Sequence, residues 1–417
     1  MKVLMFGWEF PPIKSGGLGT ACKDLTKGLS NNDVEVTFVM PYVPEEVNDE
    51  HVKLVGTNRL SKDVKVKTVN TILTPYQTTS SYGEAKHSIP LGGTSQRDVY
   101  GKDIFNEVER YAELAKHIAE SEEYDIIHVH DWMTYKAGMI AKEISGKPLV
   151  AHIHATEFDR TGGNPNQFIS QREYDGMMAA DLVIANSNFT KENVIKAYDI
   201  DPDKIEVVHW GIDEDNPHYN LQFDKESAFK KNGEKIVLFL GRVTLQKGPD
   251  YFVETARKVK DHVPEAKFVV AGNGDKLPSM IERCAELGLS NDMMFAGFLQ
   301  GADVHKAFQM ADLYVMPSVS EPFGLVALES LKNNTPVLLS NQSGVSEVVS
   351  HALKNDFWDT NGMADKIISA LNYPALMEDL KTNSFEESKK FNLDTPAKKT
   401  IEVYNKALNS AWTSKVI

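Results

Sequence analysis

Short apolar runs recur along the chain, and most are followed by a stretch of helical periodicity. KVLMFGW, at the start, has the length and apolar density of a strand buried on both faces. VEVTFVMP repeats it after the helical GTACKDLTKGLS, which predicts a βαβ opening. Further runs at YDIIHVH, PLVAHIH, DLVIANS and IEVVHW alternate with helical IFNEVERYAELAKHIAES, YKAGMIAKEIS and TKENVIKAY. That alternation predicts a doubly wound parallel sheet ending near Asp213. EDNPHYNLQFDKESAFKKNG is polar and turn-rich and reads as a linker without an element of its own. The pattern then restarts: KIVLFLG, AKFVVAG, MMFAGFL, DLYVMPS and TPVLLSN are separated by helical YFVETARKVKDHV, PSMIERCAELG and GLVALESLKNN.

The chain therefore reads as α/β, with two Rossmann-like domains facing a central cleft, their loops at the carboxyl ends of the strands. The expected division is 1–213, then 214–395 including the linker, then 396–417. The last stretch, LDTPAKKTIEVYNKALNSAW, is amphipathic and can pack on either domain; a return onto the first is one of the two options.

Composition narrows the function more than the fold. At 417 residues the chain exceeds what one core usually supports, and 41% apolar with 25% charged residues describes an ordinary globular enzyme. A formal net charge of −14 argues against nucleic-acid partners and anionic membranes. No apolar window is long enough to span a bilayer, and the first residues run into Pro11 and Pro12 without a cleavage pattern, so a cytoplasmic protein is expected. Cys22 and Cys284 cannot build a disulfide framework or a four-thiolate zinc site; both are expected to be buried and inert. The basic run SKDVKVK alternates with valines and reads as the solvated face of a strand.

Three loops carry candidate chemistry. PPIKSGGLG, residues 11–19, puts glycines and Lys14 between the first strand and first helix, where backbone N–H groups can reach a phosphate. It is not a dinucleotide fingerprint: Gly17-Leu18-Gly19-Thr20-Ala21-Cys22 lacks the last glycine, and the second strand ends at Met40-Pro41 without an acidic ribose partner. A purely structural glycine turn is the alternative. GRVTLQKG, residues 241–248, sets Arg242 and Lys247 in one loop after a buried strand, a spacing that can bring both cations onto a diphosphate. Gln246 and Gly248 exclude a Walker A loop, and two solvated surface charges are the plain alternative. SEPFGLVALE, residues 320–329, places Glu321 in a loop and Glu329 inside the following helix, two carboxylates able to address different parts of one ligand. Helix capping is the competing explanation.

Taken together in this order, KSGGLG, HVHDW, HIHATEF, GRVTLQKG and the E-x7-E of SEPFGLVALE resemble the retaining GT-B glycosyltransferases over nearly the whole chain. Within them, the Lys-Ser-Gly-Gly-Leu loop and the His-Asp-Trp strand end look most like the glycogen and starch synthases, whose usual loop is Lys-Thr-Gly-Gly-Leu. The resemblance implies that the backbone at Gly16 and Gly17, with Lys14 beside it, approaches the donor diphosphate. It implies that Arg242 and Lys247 neutralise the leaving nucleoside diphosphate and that Glu329 accepts from the ribose hydroxyls. Glu321, with the backbone amides of Phe323, Gly324 and Leu325, would hold the donor sugar; His154 would sit by that sugar, and Asp131 and Trp132 would form the sugar and acceptor side.

The same resemblance implies glucosyl transfer with retention from ADP-glucose or UDP-glucose to an α-1,4-glucan, the leaving diphosphate oxygen taking the acceptor proton. It implies no cofactor besides the donor substrate. A related transferase acting on a small sugar, sugar phosphate or lipid-linked acceptor is the alternative, and a sugar-nucleotide epimerase is disfavoured by the E-x7-E pattern. His128, His130, His152 and His154 alternate on strands and invite a metal reading, but no Asp-x-Asp pair is present and the loop cations can neutralise phosphate, so no metal is expected. The chain is shorter than typical bacterial glycogen synthases, and Ala155 stands where they carry asparagine. Residues 75–103 form a polar, Tyr-containing excursion too long for an ordinary connection, which reads either as an acceptor lid or as simple disorder.

Overall fold

The computed structural model describes residues 1–12, 17–43, 49–57, 104–221 and 233–413. The chain forms two compact units, Met1–Trp210 with Leu393–Ile417, and Gly211–Asn392.

In the first unit the elements run β1 (Lys2–Phe6), α1 (Gly17–Ser30), β2 (Glu35–Met40), β3 (Lys53–Gly56), α2 (Ile104–Ser121), β4 (Ile126–His130), α3 (Trp132–Ser145), β5 (Leu149–Ile153), α4 (Glu157–Thr161), α5 (Gln167–Ala179), β6 (Leu182–Ala185), α6 (Asn188–Tyr198) and β7 (Ile205–Val207). Among the described residues the unit has seven strands, all parallel, in the order β3-β2-β1-β4-β5-β6-β7. IIHVH of β4 and LVAHI of β5 are buried at every position, as a sheet covered on both faces requires. Local signals stop and start the helices between them. α3 ends at Gly146 in the left-handed conformation (φ 65°), and α4 opens on a capping box in which Thr156 and Asp159 satisfy each other's backbone N–H groups.

The second unit runs β8 (Lys235–Leu240), α7 (Pro249–His262), β9 (Ala266–Ala271), α8 (Leu277–Glu286), β10 (Met293–Gly297), α9 (Ala302–Met310), β11 (Leu313–Met316), α10 (Leu325–Lys332), β12 (Val337–Ser340), β13 (Leu353–Asn355), α11 (Thr360–Asn372) and α12 (Pro374–Ser388). Among its described residues it has six strands, all parallel, in the order β10-β9-β8-β11-β12-β13. Phe239, Phe252, Phe268 and Met280 anchor its core between the sheet and α7 and α8.

The C-terminal helix α13 (Asp394–Thr413) belongs to the first unit and packs on α1. Gly28 allows the approach: a Cβ there would stand 2.6 Å from the Leu393 carbonyl oxygen. Asn32 Nδ2 donates to Asp394 Oδ1 at 2.8 Å, tying the two helices at one end.

The pattern missed the short strands β3 and β13, whose few residues leave no period to read. The linker stretch is not wholly without structure, since Pro217–Asn220 forms a 3₁₀ turn capped by Asn216. The excursion at 75–103, the basic run SKDVKVK, Lys14 and Gly16 lie outside the described residues. Cys22 and Cys284 are both free and buried.

Candidate active site

In a doubly wound sheet the loops that diverge where the winding reverses leave room for a ligand at the carboxyl ends of the strands. In the second unit that point falls between β8 and β11. Backbone-to-backbone contact on both sides fixes the loop after β8. A Cβ on Gly272 would stand 1.8 Å from the Gly241 carbonyl oxygen, and one on Gly248 (φ 67°) would stand 2.0 Å from the Pro317 carbonyl oxygen. Val243 N donates to Asn273 O at 2.9 Å, and Val319 N donates to the carbonyl of buried Gln246 at 2.9 Å. The β8 loop is thus clamped between the loops after β9 and β11.

This clamp brings together residues far apart in sequence. Lys247 forms an ion pair with Oε2 of Glu321, 74 positions away, and Ser318 Oγ donates to the same oxygen at 3.2 Å. Glu321 is buried, and its backbone is pinned on both sides: its N–H donates to Gln342 O and its carbonyl accepts from Gly344 N, each at 2.9 Å. Arg242 Nη2 donates to Gln246 Oε1 at 3.2 Å, so Arg242 and Lys247 are spaced by Gln246. Gly324, at φ 109°, opens α10 without a side-chain cap; Ala327 N donates back to Gly324 O at 3.0 Å, and the N–H groups of Leu325 and Val326 come before it at the helix entrance, where an anion is favoured. Phe323 is buried, and its carbonyl accepts from Val345 N at 2.7 Å. Glu329 sits half-buried on α10. Burial first, then the fields of Glu321 and Glu329, push the Tyr314 hydroxyl well above its ordinary range, so both carboxylates act on one neighbourhood. An anion entering it meets two cations and a helix N-terminus, and a ligand hydroxyl meets two carboxylates.

In the first unit the winding reverses between β1 and β4. Asp131, directly after β4, takes the unusual φ of 59° and is buried. Its Oδ1 accepts from His154 N at 2.7 Å, while Oδ2 is buried without a hydrogen-bond partner. Burial pushes its carboxyl up to about 6, against the pull of Arg160 and the backbone N–H groups of His154 and Ala155. His154, just beyond β5, is the more accessible end of a stack that includes His152, at 4.3 Å between ring centroids, and Trp210, at 5.3 Å. Trp132 opens α3, is buried, and packs against Phe105 at 6.1 Å. Gly17 is the exposed first residue of α1.

Behind His154 lies a desolvated charge network that sequence reading passed over. Arg160 donates to Ala155 O at 2.7 Å, Glu157 Oε2 at 3.1 Å and Glu173 Oε1 at 2.5 Å. Tyr198 closes it through Glu173 Oε2. Burial pushes Glu173 up to about 7 even beside Arg160. Gln246, Ser318 and Trp210 were missed as well; a lone polar or aromatic residue in a loop carries no signal until its partner is known.

Among the described residues, His128, His130 and His152 bring possible metal-ligand atoms within 4.8 Å of one another. Burial pushes His128 and His130 well below the ordinary imidazole range and His152 down to about 3, so all three rings are neutral at pH 7. Both nitrogens of His128 already carry hydrogen bonds, to Tyr404 Oη of α13 at 2.5 Å and to His152 Nδ1 at 3.2 Å. A metal held by all three rings would have to displace one of them.

The family model described as Starch synthase catalytic domain matches residues 2–213, and the one described as Glycosyl transferases group 1 matches residues 221–387. The chain belongs to the GT-B glycosyltransferases. This glycosyltransferase is 31% identical to an uncharacterized glycosyltransferase of Methanocaldococcus jannaschii, over 98% of this chain and 99% of that one. It is 24% identical to a glycogen synthase of Mycobacterium tuberculosis, over 97% of this chain and 94% of that one. Among solved structures, its fold matches a sucrose-phosphate synthase from Thermosynechococcus elongatus with a TM-score of 0.72 at 18% identity, covering 98% of this chain and 99% of that one. Among the described residues, no helix of this glycosyltransferase is long and apolar enough to cross a membrane.

Proposed function

We propose that this glycosyltransferase moves a glucosyl unit, with retention, from ADP-glucose or UDP-glucose to an α-1,4-glucan. The match of half the chain to the starch synthase catalytic domain carries the choice of glucan acceptor. The clamped β8 loop supports the choice of a diphosphate donor. Arg242 and Lys247 take the charge that grows on the leaving diphosphate, an electrostatic contribution that needs no reorganisation because backbone contacts already fix the loop. Lys247 meets the diphosphate with its charge shared with Glu321, so Glu321 tunes the cation as well as accepting from donor-sugar hydroxyls. Glu329 accepts from the ribose, Gly324 and Leu325 offer N–H groups, and Gly17, with Lys14 and Gly16 just before it in sequence, serves the donor phosphates. His154, Asp131 and Trp132 serve the sugar and acceptor. The leaving diphosphate oxygen takes the acceptor proton as the acceptor attacks the same face, so the protein's part is positioning and charge stabilisation without a cofactor or metal.

A second reading has support of its own. The D-inositol 3-phosphate glycosyltransferase 2 of Catenulispora acidiphila is 28% identical over 68% of this chain and 71% of its own length, which favours a small phosphorylated acceptor. Turnover of the purified protein with ADP-glucose, UDP-glucose and GDP-mannose, each against glycogen, maltose, glucose and inositol 3-phosphate, separates the two. Chain extension of glycogen or maltose is the expected result; transfer to inositol 3-phosphate alone rejects the glucan reading.

A further inference from the structure

Four imidazoles lie side by side in the first unit: His128 and His130 on β4, His152 on β5, and His154 just beyond it. The sheet register places His130 opposite His152. Burial holds all four neutral at pH 7. A neutral imidazole has one N–H and one lone pair, so each ring contact constrains where the proton sits.

His130 Nδ1 lies 2.8 Å from His154 Nε2, and one of the two must donate. The other nitrogen of His130, Nε2, is buried without a hydrogen-bond partner. Dry, unpaired N–H groups are rarer in folded proteins than under-used acceptors, so Nε2 is the lone pair and the His130 proton resides on Nδ1. It donates to His154 Nε2, which leaves the His154 proton on Nδ1. The rest of His154 is equally constrained. Its N–H donates to Asp131 Oδ1 at 2.7 Å, its carbonyl accepts from Asn186 Nδ2 at 3.0 Å, and His152 and Trp210 stack on its ring.

We infer that His130 is a positioning residue for glycosyl transfer: it holds His154 as the Nδ1–H tautomer, so that His154 meets a sugar hydroxyl as a hydrogen-bond donor. The inference rests on the reading of His154 as a donor-sugar group. His130 touches no substrate in this scheme and acts only through its neighbour.

Long-range ¹⁵N–¹H correlation spectra of histidine-labelled protein at neutral pH report the tautomer directly. The proton of His154 is expected on Nδ1, and a proton on Nε2 overturns the inference whatever the activity. His130→Phe keeps a ring and removes the donor. It is expected to lower kcat about tenfold or more while nucleoside diphosphate affinity stays within about twofold, since the diphosphate cations belong to the other unit. A folded His130→Phe protein, judged by its thermal transition, with wild-type kcat overturns the inference. Should that variant not fold, His154→Asn and His154→Gln decide: asparagine offers an amide N–H near the Nδ1 position and glutamine near Nε2. The asparagine variant is expected to keep about tenfold more kcat than the glutamine variant, and equality or the reverse order overturns the inference. His154→Ala separates the two levels. Full activity in it removes the donor-sugar reading of His154, whereas lost activity in it beside an unaffected His130→Phe leaves that reading intact and rejects only the positioning role.

Discussion

In the first unit the carboxyl ends of β4 and β5 carry groups stripped of water: four neutral imidazoles, and one carboxyl whose burial pushes it up to about 6. In the second, the ends of β8 and β11 carry an ion pair between Lys247 and Glu321 with Arg242 in the same loop. Both sheets follow one winding, with the reversal beside the first strand of each. The difference teaches that topology decides where a site forms, while the residues placed there decide its chemistry. A dry end of neutral imidazoles around one carboxyl suits directional hydrogen bonds to hydroxyls, and an end with paired cations suits a diphosphate.

The strongest way to sharpen this contrast is through Asp131. Burial raises its folded pKa from 3.8 to about 6, so the folded state binds the proton more tightly than the unfolded chain does. Stability therefore falls as pH rises from about 4 to 6, and above that the buried charge costs about 3 kcal/mol. Asp131→Asn keeps an acceptor for His154 N and removes the charge. Its unfolding free energy should exceed that of the wild type at pH 8 and converge on it near pH 4. Glu173 titrates in both proteins, so the difference isolates Asp131. A gap that does not change with pH contradicts the desolvated reading of this end.

Glu321→Ala tests the charged end. The variant should fold, because Lys247 is partly exposed and can hydrate once its partner is gone. Its kcat/KM should drop about 100-fold, or roughly 2.7 kcal/mol of transition-state stabilisation. Retention of more than about a tenth of the wild-type value, under roughly 1.4 kcal/mol, ends the assignment.

Smaller effects are expected from the cations singly. Arg242→Ala and Lys247→Ala should each weaken nucleoside diphosphate binding about tenfold by calorimetry, as for loss of one charge-assisted contact. Unchanged isotherms for both would move the diphosphate away from the β8 loop and dissolve the comparison. The smallest effect belongs to metal removal. If Arg242 and Lys247 do the neutralising, chelation leaves the rate where it was; activity abolished by EDTA and restored by one divalent ion would point instead to a bound cation.

Much of the architecture was legible in the chain itself. KVLMFGW, PLVAHIH and KIVLFLG announce strands buried on both faces, and the helical stretches between them force parallel pairing, because burial period is a local property of a few neighbouring residues. The loops holding Lys247, Glu321, Asp131 and His154 were likewise visible as strand ends. Their partnerships were not. Nothing local states that Lys247 reaches Glu321, that Gln246 ties the β8 loop to the β11 loop, that His130 meets His154, or that Tyr404 of the last helix meets His128. The docking of α13 on α1 depended on the absence of a Cβ at Gly28, a detail equally compatible with an ordinary helical glycine. Periodicity records which face of an element avoids water, whereas these contacts depend on which faces meet after the sheets are assembled, and only the packed chain settles that.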